Sequence, residues 1–227
     1  MNYVILIFSL LLIFVSTACQ NSANTGSTKR ISSETVKILS EQDIIAISTQ
    51  ACNEMDHRAT IATNNHALNQ RLNKIVNTLP NNINNRNINY KVYLNTEPNA
   101  WSTANGCIRV NSGLMKLLTD NELQAVLAHE QGHIALKHAI KSFRQAPYIE
   151  ITDKANEIVI MVKQEIAQQY EVEADEYALN LLLKEKIDPI GLINMLSKMP
   201  IHASEYPTAH PSNLHRMNNI LDKLKNK

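Results

Sequence analysis

The stretch LAHEQGHIALKH, Leu127–His138, places the tightest limit on what this chain can fold into. It sets three histidines and a glutamate among core-type residues: Leu123, Val126, Leu127, Ile134 and Ala135 surround them. Thr119 followed three residues later by Glu122 is a capping-box pattern, which opens a helix just before the stretch. The helical period carries that helix to about Lys141. Residues four apart share a helix face, so His129 and His133 present neighbouring imidazoles, with Glu130 on the rim. One outcome is a solvated His/Glu face. The apolar flanks favour the other, burial, and buried ionisable groups need a partner that meets their charge. A metal ion is such a partner.

Zinc takes nitrogen, sulfur or oxygen ligands in a tetrahedron, and a catalytic site keeps one position open. His129 and His133 would supply two ligands, and Glu130 is placed to take a proton from an attacking water. EVEAD, Glu171–Asp175, is the best source of the third. Glu171 and Asp175 are again four apart, so Glu171 can bind metal while Asp175 accepts the N–H of a ligating histidine. Glu173, two residues from each, is expected to point elsewhere. Taken alone, EVEAD would equally suit an exposed acidic face. Gly132 costs about 1 kcal/mol against Ala inside a helix, which makes sense where another backbone, such as a strand, packs close. His138 lies nine residues after His129 and is expected to face away into solvent. His57 and His66 have no partner pattern, and no catalytic role is expected of His202 or His215.

The rest of the chain reads as α+β in a single domain, with helices around one small sheet. Amphipathic helices are expected from about Ser40 to Thr63 and from Ala67 to Leu79, the second ended by Pro80 and the Asn-rich run that follows. INYKVYLN, Ile88–Asn95, alternates as a strand, and GCIRVN, Gly106–Asn111, is a second short one. GLMKLL forms a short helix. A long helical pattern spans roughly Thr152 to Lys186, and further helices are expected at Gly191–Met199 and Pro211–Leu224.

The N-terminus reads as a leader. VILIFSLLLIFV, Val4–Val15, is too short to span a membrane and ends in small residues before Cys19. STAC resembles a lipobox, so Cys19 would become a lipidated N-terminus after cleavage; plain secretion with cleavage near Ala18 is the alternative. The expected organisation is a signal peptide over residues 1–18, a lipid-anchored flexible linker over 19–34, and a metallopeptidase domain over 35–227. Gln20 after the cysteine favours the outer membrane over inner-membrane retention, with the domain facing the periplasm. Of three cysteines, Cys52 and Cys107 are then left to pair in an oxidising compartment, or to stay as buried thiols. Twenty-two Lys and Arg balance 21 Asp and Glu, which gives no support to nucleic-acid binding.

HEQGH followed by E-x-x-A-D resembles the HtpX-like zinc metallopeptidases, the family that includes the CAAX prenyl proteases. NAWSTANGCIRVNSGLM, Asn99–Met115, is similar to the block that precedes their metal helix, and HPSNLHR, His210–Arg216, to their C-terminal block. With a lipobox and no other apolar span, the chain looks most like the lipid-anchored outer-membrane members. Gln131 stands where the family usually has an apolar residue, Asn105 replaces a Gly, and Met217 replaces an Ile. The resemblance implies a gluzincin fold, mostly helical, with a small sheet before the HExxH helix. It also places His210 near the metal, as a fourth ligand or as a donor to the oxyanion; Arg216 would pair with Glu171 or Asp175, or hold the loop. The expected function is zinc-dependent cleavage of unfolded or misassembled envelope proteins, one Zn2+ per chain, with substrate extended along Ala100–Ser102 or Ile108–Val110. A non-proteolytic zinc-binding chaperone or adaptor is the rival, and the intact Glu130 speaks against it.

Overall fold

The computed structural model describes residues 3–9, 28–152, 157–199 and 213–225. In chain order, strands β1 (Tyr3–Ser9) and β2 (Thr28–Ser32) precede helices α1 (Ser33–Lys37), α2 (Glu41–Arg58) and α3 (Ala67–Val76). A hairpin of β3 (Asn82–Ile83) and β4 (Arg86–Asn87) leads into β5 (Asn89–Tyr93), β6 (Ala100–Ser102) and β7 (Cys107–Asn111). Helices α4 (Ser112–Leu117), α5 (Asp120–Ala135) and α6 (His138–Gln145) follow, then β8 (Tyr148–Thr152) and β9 (Glu157–Lys163). The described chain closes with α7 (Gln164–Lys184), α8 (Ile190–Lys198) and α9 (Asn213–Lys225). The architecture is α+β and mostly helical, as the sequence implies.

The main core lies between α3, α5, α7 and α8 and the inner face of the β5–β7–β6 sheet. Leu72, Val92, Ile108, Val110, Leu127, Leu179 and Leu192 are among its buried members. β7 is the central strand, parallel to β5 and antiparallel to β6. This excludes Ile108–Val110 as a docking strand, because both edges of β7 are already hydrogen-bonded. Ala100–Ser102 remains, on an edge. The sheet is fastened to α2 by a Cys52–Cys107 disulfide. Beside it, the fully buried Arg109 donates to both carboxylate oxygens of Asp56, at 2.8 and 2.9 Å, and to the Asn89 carbonyl.

Three local departures from the sequence reading have physical causes. First, the described residues form three sheets: the one above, the β3–β4 hairpin, and a four-stranded sheet ordered β1-β9-β8-β2. Second, the described first part of the expected Thr152–Lys186 helix, through Lys163, is not helical. Tyr148–Thr152 and Glu157–Lys163 form a hairpin, and the helix begins only at Gln164. β-branched Ile149, Ile160 and Val162 are buried against Ile140 and Phe143 of α6 in a second, smaller core. Third, part of the expected tether is ordered: β2 pairs with β8 in register from Thr28↔Thr152 to Ser32↔Tyr148, and Ser32 caps α1. Tyr3–Ser9, within the expected leader, pairs along β9. Among the described residues, no helix is long and apolar enough to cross a membrane.

Candidate metal centre

Helix α5 starts where its sequence says it should. Thr119 accepts from the Glu122 amide while the Glu122 carboxylate accepts from the Thr119 amide at 2.8 Å. Lys198 adds an ion pair to Glu122 at 2.7 Å. Beyond this first turn the helix is buried almost all round, which is why it lacks a clean polar face. Buried Gln131 donates to the Pro80 carbonyl at 2.8 Å and to the Tyr90 hydroxyl.

The helix ends earlier than its period suggests. The Asn84 side chain, held in a left-handed turn between β3 and β4, donates to the carbonyls of Ile134 and Ala135 at 3.3 and 3.0 Å. Lys137 then adopts φ 58° and pairs with Glu41 at 2.9 Å, and α6 begins at His138 on a new axis.

Gly132 marks a close approach, but of a helix rather than a strand. A Cβ there would meet the Ala174 carbonyl oxygen of α7 at 3.0 Å and the Ala174 Cα at 3.1 Å. Because α5 and α7 touch at this glycine, the side chains just above it converge. Nε2 of His129 and Nε2 of His133 lie 3.1 Å apart. Glu171 places Oε2 3.5 Å from the first and Oε1 3.4 Å from the second. With metal–nitrogen and metal–oxygen bonds of about 2.0–2.2 Å, the edge of a tetrahedron is about 3.3–3.6 Å. The three separations lie near such an edge, the two from Glu171 belonging to its two oxygens, and one donor atom from each residue lies within 4.8 Å of the others; among the described residues this is the one such cluster.

Each donor is held from behind. His129 turns Nδ1 to Asp175 Oδ1 at 2.9 Å, leaving Nε2 free of that proton. Arg216 of α9 grips both oxygens of Asp175, at 2.6 and 2.7 Å, and reaches Glu171 at 3.1 Å. All of these groups are buried. Burial opposes a charge on His129, but the Asp175 and Glu171 carboxylates outweigh it and push the imidazole up to about 10. Burial also acts against the Asp175 carboxylate, yet Arg216 and His129 hold it below the ordinary range. On the other flank, His133 Nδ1 lies 3.0 Å from His138 Nδ1, and His138 Nε2 lies 3.1 Å from Glu173 Oε2. His138 is thus buried at the site, and Glu173 points at it. The 100°-per-residue rule that sent His138 to solvent fails because the helix breaks at Lys137. Burial and the neighbouring His133 push His138 down to about 4.

Glu130 lines a cleft of about 270 Å3 beside β6, along with His133, His138 and Tyr170. Ser102 on β6 donates to Glu130 Oε2 at 2.7 Å, a contact between strand and helix with no signature in the linear pattern. Of the residues singled out in the sequence, His129, Glu130, His133, Glu171, Asp175 and Arg216 are brought together here. Cys19, His202 and His210 lie outside the described residues.

Residues 66–153 and 148–224 match the profile of "Peptidase family M48". The chain belongs to peptidase family M48. It is 36% identical over 92% of both chains to "Metalloprotease LoiP" and 32% identical over 92% of both to "Metalloprotease YcaL", each from Escherichia coli (strain K12). A shorter stretch of 48 residues, 19% of this chain, is 42% identical to "Protease HtpX" of Psychrobacter sp. (strain PRwf-1). The matched M48 region contains the His129, His133 and Glu171 group and Glu130. The departures at Gln131 and Asn105 leave it intact. Gln131 is bonded as above, and Asn105 Oδ1 accepts from the Cys107 amide at 3.3 Å in the turn where Gly106 takes φ 90°.

Proposed function

We propose that this M48 metalloprotease is a zinc endopeptidase of the bacterial envelope that degrades unfolded or misassembled envelope proteins. His129, His133 and Glu171 are assigned as the zinc ligands, because a nitrogen or oxygen donor from each lies within 4.8 Å of the others, close enough to share one ion. Bound there, zinc would supply a Lewis acid for the scissile carbonyl and acidify the water that attacks it. Glu130 takes the proton of that water and delivers it to the leaving amine. Ser102 holds one Glu130 oxygen and so sets the direction of the carboxylate. The free edge of β6 aligns an extended substrate by strand addition, which selects unfolded chain over folded domains. Asp175 and Arg216 fix the His129 ring and the Glu171 carboxylate.

The leader pattern supports cleavage before Cys19, lipidation of that residue and retention at the periplasmic face of the outer membrane, with residues 19–34 joining lipid to domain. His210 is assigned either as a donor to the oxyanion or as a fourth ligand that closes the site. His210→Ala distinguishes them: cleavage falls in the first case and rises in the second.

The single observation that carries the proposal is Glu130 in the cleft beside a complete donor trio. In the full chain, purified in detergent, metal analysis should find one zinc. Glu130→Gln should keep that zinc and lower casein cleavage by about 10²–10⁴-fold. Full activity in Glu130→Gln would sink the mechanism. A parent chain that holds zinc but leaves casein intact would favour the adaptor role.

A further inference from the structure

A neutral histidine that offers Nε2 to a metal carries its proton on Nδ1, and that N–H needs an acceptor to fix the ring. For His129 the acceptor is a carboxylate. Among the described residues, His133 Nδ1 meets not a carboxylate but another imidazole nitrogen, His138 Nδ1, at 3.0 Å. Two facing nitrogens share one proton, so one of them must be bare.

The other end of His138 decides which. Its Nε2 lies 3.1 Å from Glu173 Oε2, and a carboxylate only accepts, so the His138 proton sits on Nε2. Its Nδ1 is then bare and accepts from His133. The hydrogen bonds run one way, from His133 to His138 to Glu173, and they leave His133 Nε2 unprotonated and aimed at Glu171. The ring of His138 is held for this purpose. Tyr170 stacks on it at 4.3 Å with planes 10° apart, and Gln169 donates to the second oxygen of Glu173 at 2.7 Å. His138 itself is buried.

We propose that His138, backed by Glu173, is the positioning residue for His133. It sets the tautomer and aim of the second imidazole and thereby the metal affinity of the site. This rests on the reading of His133 as a ligand. Glu173 therefore belongs to the same device as Glu171 and Asp175, although it serves a different histidine.

The test uses the full chain in detergent, with zinc affinity measured by competition against a chromophoric chelator and geometry followed by the visible spectrum of the cobalt-loaded protein. His138→Phe keeps a flat ring but offers no acceptor; it should weaken zinc binding about 10–100-fold and alter the cobalt spectrum. His138→Gln, whose amide can accept from His133 and donate to Glu173, should recover most of that affinity and the parent spectrum. A simple packing role would instead favour Phe. If His138→Phe binds zinc like the parent, or His138→Gln does no better than Phe, the proposal fails. Nitrogen-15 NMR of the histidines in the zinc-loaded parent gives a check without any substitution. His133 should carry its proton on Nδ1 and His138 on Nε2; a proton on His138 Nδ1 overturns the inference. His133→Ala is the control for the underlying reading: unchanged zinc affinity there would show that His133 is no ligand at all.

Discussion

His129 and His133 sit one turn apart on α5 and aim the same ring nitrogen at the same point, yet their surroundings differ. The His129 flank is a closed ionic cluster: Asp175 and Glu171 from α7 share the buried Arg216 from α9. The His133 flank is neutral next to the ring and opens toward the cleft, through His138 of α6 and the part-exposed Glu173. The first flank ties three helices together, so its groups serve the fold as well as the metal. The second also joins three helices, α5, α6 and α7, but through an uncharged imidazole and a part-exposed carboxylate, so it serves chiefly the aim of one ring. Removing one partner from a buried ion pair leaves an uncompensated charge, whereas removing a neutral acceptor leaves one unmet N–H.

The sharpest way to break this contrast is Asp175→Ala. It strips Arg216 of its bidentate partner and His129 of its acceptor, at a cost of about 3–5 kcal/mol. Thermal unfolding in the presence of chelator should show the loss even without metal, and an unchanged melting temperature would erase the distinction between the flanks.

Gly132→Ala tests the seam beneath both histidines. The added methyl meets the backbone of α7 at Ala174, which cannot swing aside as a side chain would. A cost of about 1–3 kcal/mol is expected, together with weaker zinc binding as Glu171 is pushed from the imidazoles. Parent-like stability and affinity would mean that the helices separate freely.

A third contrast is an alkaline pH dependence that arises on the His129 flank. Without metal, the folded imidazole is held up to about 10, above an ordinary value of 6.5. A raised folded value stabilises the metal-free protein fully below about pH 6.5, and that gain disappears as the pH climbs to about 10. Metal replaces the proton on this ring, so the loaded protein should not share the alkaline decline. Chemical denaturation at pH 7 and pH 9.5, with and without zinc, should show the difference; parallel curves would count against it.

How much of this was legible in the linear chain varied with the range of the determining contacts. The start of α5 was readable from Thr119 and Glu122, which meet within one turn. The donor trio was readable from two i, i+4 pairs of suitable chemistry. Gly132 signalled a close approach but not its partner, since a glycine records only that space is short. The end of α5 was not readable, because Asn84, far upstream, caps it, and the misplacement of His138 and Glu173 followed from that. β9 fell inside an expected helix and β8 was left without an element, because their burial depends on each other and on α6.

The sequence by itself determined the pairing of the two histidines, the glutamate beside them, the capped entry into α5 and the membership of a peptidase family. These reside in residue types and short spacings, where a few bonds fix the outcome. Only the tertiary structure decided that β6 is an edge and β7 a centre, that Ser102 reaches Glu130, and that the chain turns at Lys137 to bring His138 behind His133. Those outcomes depend on which distant segment arrives to complete a hydrogen bond, and no local pattern carries that information.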